Sequence, residues 1–188
     1  SLYGDSRWYT GSGIYRNVNL ITEEPVHFKQ WGIFCTTPEV TSSKAVLSSD
    51  VTVVNETGAR VNLKLSGTLM YGNSVVSKAL RNVILDASGE STVNLVLDVE
   101  NPKLWDTGNP ELYSLVTEIK GRELLDNVVT QIGFRDLKFD PDKGFFLNGR
   151  NLKLKGICMH QDAGVLGTAV PKDEWSRRLD ILKEMGCN

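Results

Sequence analysis

Between His27 and about Phe139, apolar and polar residues alternate in run after run, and a period of two commits a chain to strands with one buried face. Val61, Leu63, Leu65, Leu69 and Tyr71 share one face, with Asn62, Lys64 and Ser66 on the other. Val93, Leu95, Leu97 and Val99 repeat the pattern, as do Tyr113, Leu115 and Ile119, and then Val128, Thr130, Ile132 and Phe134. Turn-forming clusters separate the runs at Asn55-Glu56-Thr57-Gly58, Gly72-Asn73-Ser74, Ser88-Gly89-Glu90 and Gly121-Arg122-Glu123. About seven antiparallel strands over roughly 110 residues, with no helical run, predict an immunoglobulin-like β-sandwich. The Cys–Trp–Cys spacing of antibody domains is missing, so this expectation rests on periodicity.

Past the sandwich the pattern changes. Asn148-Gly149 lies between two apolar runs and predicts a tight hairpin, because both central residues of such a turn need positive φ. Leu152, Leu154 and Gly156 alternate with Lys153 and Lys155, which predicts a strand with one buried face. That pattern breaks at Cys158-Met159-His160-Gln161-Asp162. Gly164 to Pro171 predict a loop and Asp173 to Met185 a helix, whose stripe is Trp175, Leu179 and Leu182 joined by Ile181 and Met185. Asp173 and Glu174 suit the positive end of that helix, and Gly186 stops it. Strand, loop and helix make the first βα unit of something larger. At the other end, Tyr15 to Ile21 read as a short alternating strand without a hairpin partner nearby.

Charge and composition exclude several classes. With 21 basic against 23 acidic residues, the 188-residue chain carries no footprint for nucleic acid or an anionic membrane. No apolar run approaches the ~20 residues of a transmembrane helix. Cys35, Cys158 and Cys187 are too few and too scattered for a disulfide framework and read as small buried hydrophobes. The compartment is left open between cytoplasmic and periplasmic or secreted.

The residues that could carry chemistry each have a plainer explanation beside them. Asp140-Pro141-Asp142 reads as turn chemistry and Asp173-Glu174 as a helix start, so no pair of acids is expected to work across a bond. His160 sits at a strand end, where an imidazole either exchanges hydrogen bonds with a ligand or is satisfied by backbone, and Asp162 could accept from ligand hydroxyls. Cys158, His160 and Asp162 at alternate positions invite a metal or Cys–His nucleophile, but the fourth ligand and the orienting partner are not visible. Trp105, between Pro102 and Pro110, is expected to anchor a loop, with sugar stacking as the rival role. Asn55-Glu56-Thr57 matches the glycosylation triplet. His27 has no partner motif and is expected at the surface.

Four segments together resemble glycoside hydrolase family 2, the family of β-galactosidases, β-glucuronidases and β-mannosidases, and most of all its β-galactosidase branch. Ser6-Arg7-Trp8-Tyr9-Thr10-Gly11-Ser12-Gly13-Ile14-Tyr15-Arg16 resembles the close of the family's jelly-roll sugar-binding domain. Leu104-Trp105 with Asn109-Pro110-Glu111-Leu112-Tyr113-Ser114-Leu115, and then Ile132-Gly133-Phe134-Arg135, resemble its immunoglobulin-like domain. Gly144 to Gly167 resembles the opening of its catalytic (β/α)₈ barrel.

The resemblance implies a mainly β fold class: residues 1–22 as the tail of the sugar-binding domain, 23–139 as the immunoglobulin-like β-sandwich, and 140–188 as a partial βα unit of a TIM barrel. It implies an internal fragment of a retaining glycosidase of terminal β-linked sugars, most of all β-galactosides, with β-glucuronides or β-mannosides as the alternatives. The catalytic glutamates are then expected beyond Asn188, with no catalytic residue inside the chain and the fragment alone inactive. His160 and Asp162 are implied as substrate-binding residues, with Asp5 and Arg7 reaching the assembled pocket. Gln161 departs from the many relatives that have a second histidine there. No cofactor is expected in the fragment, the resemblance allowing Mg²⁺ or Na⁺ in the parent enzyme, and the implied partners are a carbohydrate substrate and, in a homo-oligomer, further copies of the chain. A free-standing immunoglobulin-like carbohydrate-binding or adhesion module is the rival from another class.

Overall fold

The structure, a computed structural model, describes residues 13–188. Asp5 and Arg7 lie outside the described residues. The chain divides into two compact units, Thr22–Leu152 and a second made of Ser1–Ile21 with Lys153–Asn188.

The first unit is the sandwich. Its strands are β1 (Val26–Val40), β2 (Lys44–Asn55), β3 (Val61–Tyr71), β4 (Ser74–Leu85), β5 (Glu90–Glu100), β6 (Tyr113–Lys120) and β7 (Leu124–Ile132). They form a three-stranded sheet in the order β1-β2-β5 and a four-stranded sheet in the order β4-β3-β6-β7, with antiparallel pairing throughout. Each expected turn falls between two strands. Register follows the apolar pattern, so that Leu47 pairs with Leu97 and Val51 with Val93 in one sheet, and Leu65 with Ile119 and Leu69 with Leu115 in the other. The inward residues of both sheets join in one apolar cluster that also takes in Phe134. β4 and β7 are edge strands, and Val75, Val76, Leu80 and Val129 stay exposed there because an edge has fewer neighbours to bury them.

Three further strands complete this unit: β8 (Leu137–Asp140), β9 (Gly144–Leu147) and β10 (Arg150–Asn151), in the order β10-β9-β8. Asn148 and Gly149 have φ 51° and 75°, which is the left-handed pair that the expected hairpin turn requires.

β1 carries a bulge between Phe28 and Ile33. Trp31 sits on it at φ 60° and is 92% exposed. Gly32 makes the bulge possible, since a Cβ there would lie 2.7 Å from the Lys29 carbonyl oxygen. Nearby, the backbone N–H of Phe28 donates to Asp126 Oδ2 at 2.9 Å.

Two buried polar residues contrast. The Asn55 side chain is wholly buried and saturated: its amide donates to the carbonyls of Ala59 and Asp86 at 2.8 Å each, and its oxygen accepts from the N–H and hydroxyl of Thr57. Thr57 is therefore a turn partner of Asn55, and the triplet there serves the fold. Thr117 Oγ1 is buried with no hydrogen-bond partner among the described residues.

The second unit contains a 3₁₀ turn at Gly164–Leu166 and one helix, α1 (Lys172–Glu184). Pro171 occupies the cap position in extended conformation, and Asp173 and Glu174 fall in the first turn as expected. Two expected strands are absent. Tyr15–Ile21 has no ladder, and Tyr15, Val18, Leu20 and Ile21 are exposed. Residues 152–156 form no ladder either, and Leu154, expected inward, is 61% exposed. An alternating pattern becomes a strand only when another strand takes its backbone groups. For residues 153–155 that role falls to Asn188, whose N–H donates to the Lys155 carbonyl at 3.0 Å. Its side chain accepts from Lys155 N–H at 2.9 Å and donates to the Lys153 carbonyl at 3.1 Å.

Asn55→Ala removes four hydrogen bonds made by a wholly buried side chain and is expected to cost about 2–4 kcal/mol. Thr117→Val removes an unsatisfied hydroxyl at nearly constant volume and is expected to add about 1 kcal/mol. Chemical denaturation of the two variants beside the parent chain reads both signs.

Candidate functional site

The residues expected to carry chemistry lie in the second unit, where the extended segment from Lys153 leads into the loop before α1. His160 is exposed and Asp162 half-buried. The carbonyl of Asp162 accepts a hydrogen bond from Arg178 Nη1 at 3.1 Å, so this end of the loop is tied to the helix. The loop then closes on itself: Ala163 N–H donates to the Gly167 carbonyl, Leu166 N–H to Ala163, and Gly167 N–H to Gly164, at 3.0 to 3.1 Å. Gly164 and Gly167 both have positive φ, at 53° and 56°.

Arg178 is the hub of the helix side. Its Nε donates to Glu174 Oε1 at 3.0 Å, and its guanidinium carbon lies 5.1 Å from the centre of the Trp175 ring. Glu174 also takes a two-pronged bond from Arg177, at 2.8 Å for each prong. Hydrogen bonds from Arg177 and then Arg178 hold its carboxyl down at about 2. The Glu174–Arg178 spacing of four was legible in the sequence as a helix pair. The bond to the Asp162 carbonyl was not, because nothing in a pattern of side chains marks a backbone acceptor.

Concavities open on the described residues of this unit. An apolar groove of about 280 Å³ is lined by Ile157, Met159, Arg178, Ile181 and Leu182. A larger cleft of about 610 Å³ runs between Tyr15-Arg16-Asn17 and Thr168 to Lys172 with Trp175. Neither His160 nor Asp162 lines either of them.

Cys158 is exposed, which corrects the expectation of a buried thiol, because the segment that carries it lies on no closed core. Cys35 does pack against the sandwich core; burial pushes its thiol up, partly opposed by its contact with Ser49 Oγ at 3.4 Å. His27 is not a surface residue either. Its side chain is 13% exposed, with Nδ1–H donating to the Glu24 carbonyl at 2.9 Å and Nε2 lying 3.3 Å from Glu23 Oε2. Among the described residues, no group of three or more His, Cys, Asp or Glu side chains is placed to hold a metal ion. No described helix is long and apolar enough to cross a membrane.

Of the acids read as structural, Asp140 has the partners of a turn residue and Glu174 those of a helix ion pair. Asp140 Oδ1 accepts from the N–H groups of Asp142 and Lys143 at 3.1 and 2.9 Å, as a turn carboxylate does.

In the sandwich unit, the motif segments converge on one end. The rings of Tyr71 and Tyr113, and of Tyr113 and Phe134, each lie 5.0 Å apart. The Tyr71 hydroxyl donates to Glu111, which lowers that carboxyl. Trp105 packs against Gly133, where a Cβ would come within 3.3 Å of it, and the Arg135 guanidinium lies 4.9 Å from its ring centre. Asn148 of the hairpin donates to the Trp105 carbonyl at 3.0 Å. Trp105 is thus a loop anchor whose ring is occupied by its neighbours.

Residues 26–135 match the family described as Glycosyl hydrolases family 2. The chain belongs to that family. It is 41% identical over 186 residues to the β-galactosidase BoGH2A of Bacteroides ovatus, a match that covers 98% of this chain and 22% of that protein. Among solved structures, a glycosyl hydrolase family 2 member from Bacteroides cellulosilyticus superposes with a TM-score of 0.89 at 34% identity, over 97% of this chain and 25% of that one. A calcium binding mutant of Bacteroides uniformis β-glucuronidase 2 gives a TM-score of 0.80 at 32% identity, over 88% and 21%. The chain therefore spans about a fifth to a quarter of the length of these family 2 relatives.

Glu174 supplies a pH test. Its folded pKa is depressed, so the carboxylate's contribution is present above its ordinary value of 4.5 and is lost as pH falls through about 2. Carbon-detected NMR of the Glu174 carboxyl is expected to titrate near 2, and Arg177→Ala with Arg178→Ala together return it toward 4.5.

Proposed function

We propose that this chain serves as the sandwich segment and barrel opening of a retaining glycoside hydrolase that releases terminal β-linked sugars, most of all β-galactosides. The observation that carries this reading is the 41% identity to a β-galactosidase along 98% of the chain, a span that takes in both the sandwich and the His160 loop. The domain assignment is part of the proposal: residues 1–22 close a sugar-binding domain, 23–139 form the sandwich and 140–188 begin the barrel.

Retaining hydrolysis places two carboxyl groups ~5 Å apart, one as nucleophile and one as acid and then base. In this reading the chain supplies neither. Its contribution is His160, whose neutral imidazole can exchange hydrogen bonds with sugar hydroxyls, and Asp162, whose carboxylate accepts from hydroxyls. In this proposal any Mg²⁺ or Na⁺ of such an enzyme is held by its other parts. β-Glucuronides are the second substrate class, because a β-glucuronidase is among the structural relatives at 32% identity.

Hydrolysis of aryl β-galactoside and aryl β-glucuronide is to be measured for the chain alone and for BoGH2A carrying this chain in place of its matching segment. The expected outcome is no turnover by the chain alone and a galactoside preference in the chimera, reduced at least tenfold by His160→Ala. Turnover by the chain alone would overturn the assignment of chemistry to other parts of the enzyme. An His160→Ala chimera as active as its parent would remove His160 from the sugar site.

A further inference from the structure

We infer that Arg178 is a positioning residue that sets the His160–Asp162 end of the loop against α1; this rests on the sugar-site role proposed above for His160 and Asp162. The geometry separates Arg178 from an ordinary helix ion pair. One guanidinium makes two divergent bonds, with Nε to Glu174 Oε1 at 3.0 Å and Nη1 to the Asp162 carbonyl at 3.1 Å, a contact sixteen residues back in the chain. Its planar fork is half-buried and lies over Trp175, which fixes the direction in which Nη1 points. A charged donor on a carbonyl makes a stronger bond than a neutral one. The bond lands two residues beyond His160 and one before Ala163, where the loop's own short-range bonds begin.

Arg177 provides the internal comparison. It holds the same Glu174 carboxylate with both of its prongs and is mostly exposed. Loss of Arg178 therefore leaves the first turn of the helix with its ion pair, while the loop loses its tie. Three backbone bonds within 163–167 close the turn locally, with left-handed glycines at two of those five positions. Without the tie this closed turn can pivot about Asp162. Lysine cannot replace Arg178, because a single ammonium on a flexible stem does not reach two acceptors in divergent directions.

The clamp is tested on the 188-residue chain by hydrogen exchange of the Ala163, Leu166 and Gly167 amides, and on the BoGH2A chimera by kinetics. Arg178→Lys is expected to speed exchange at these amides about tenfold, as the loss of one charge-assisted hydrogen bond does, while Arg177→Ala leaves them unchanged. In the chimera Arg178→Lys is expected to lower kcat/KM about tenfold on the aryl β-galactoside and to raise KM, again with no effect of Arg177→Ala. Glu174→Gln, which leaves both arginines with a neutral acceptor, is expected to fall in between and stands in if Arg178→Lys fails to fold.

Equal acceleration of exchange by Arg177→Ala and Arg178→Lys would reduce Arg178 to helix support and overturn the inference. No acceleration by Arg178→Lys would do the same. Acceleration by Arg178→Lys alone with unchanged kcat/KM would uphold the clamp and refute the sugar-site role of the loop, so the two readings fail separately.

Discussion

Everything in the sandwich unit depends on one layer of apolar side chains between a three-stranded and a four-stranded sheet. The layer exists because β2, β3, β5 and β6 keep strict alternation across their length, so that one face of each strand has no polar side chain long enough to reach water. A slip of one residue in any of these strands would turn Leu65, Leu69 or Leu97 outward, and the loss of several buried leucines is far larger than any surface contact could offset. Gly67 marks how closely the sheets approach, since a Cβ there would lie 3.0 Å from the Leu95 side chain of the opposite sheet. The polar exceptions are confined to places where their bonds are made, as at Asn55, with Thr117 the one described orphan.

At one end of that layer, the chain uses aromatic residues and arginines to hold its irregular parts. Tyr113 meets Tyr71 at a tilt and Phe134 edge to face, the Tyr113 hydroxyl accepts from Lys103 N–H, and Trp105 is held between Gly133 and Arg135. Arg150, just past the Asn148-Gly149 turn, donates from Nη2 to both oxygens of Asp106; desolvation raises that carboxyl, but the bonds from Arg150 and Thr107 leave it lowered overall. Asn148 therefore has two tasks. Its backbone takes the left-handed turn, and its side chain links the turn to Trp105 and to Asp136 N–H. This is why motif segments far apart in sequence belong to a single structural cluster.

How much was legible in the sequence divides along the same line. The seven strands, their turns and the Asn-Gly hairpin follow from local pattern, which sufficed because each of these strands finds its pairing partner within the described residues; the helix forms where its pattern places it, although none of its residues is buried and Leu179, Ile181 and Met185 of its stripe are exposed. Tyr15–Ile21 and Leu152–Gly156 show where that logic stops: both have the alternation of a strand, and neither has a neighbouring strand among the described residues, so the pattern alone did not produce a ladder. His27 was misjudged for a related reason, since its partners are a backbone carbonyl and an adjacent glutamate, which no motif advertises. At the candidate site, His160 and Asp162 could be picked out by residue type and place. Arg178 could be seen only as half of a helix pair, because its second partner is a carbonyl sixteen residues away.

Asn55 carries a consequence for making this protein in a eukaryotic secretory host. There the triplet Asn55-Glu56-Thr57 is offered to the glycosylation machinery while the nascent chain is still extended. In the folded unit all of that side chain's bonding capacity is spent and none of its surface meets solvent. An oligosaccharide on Asn55 and the closed turn are mutually exclusive, so every molecule modified there leaves the folding route, and secreted yield becomes a race between an enzyme and a hairpin.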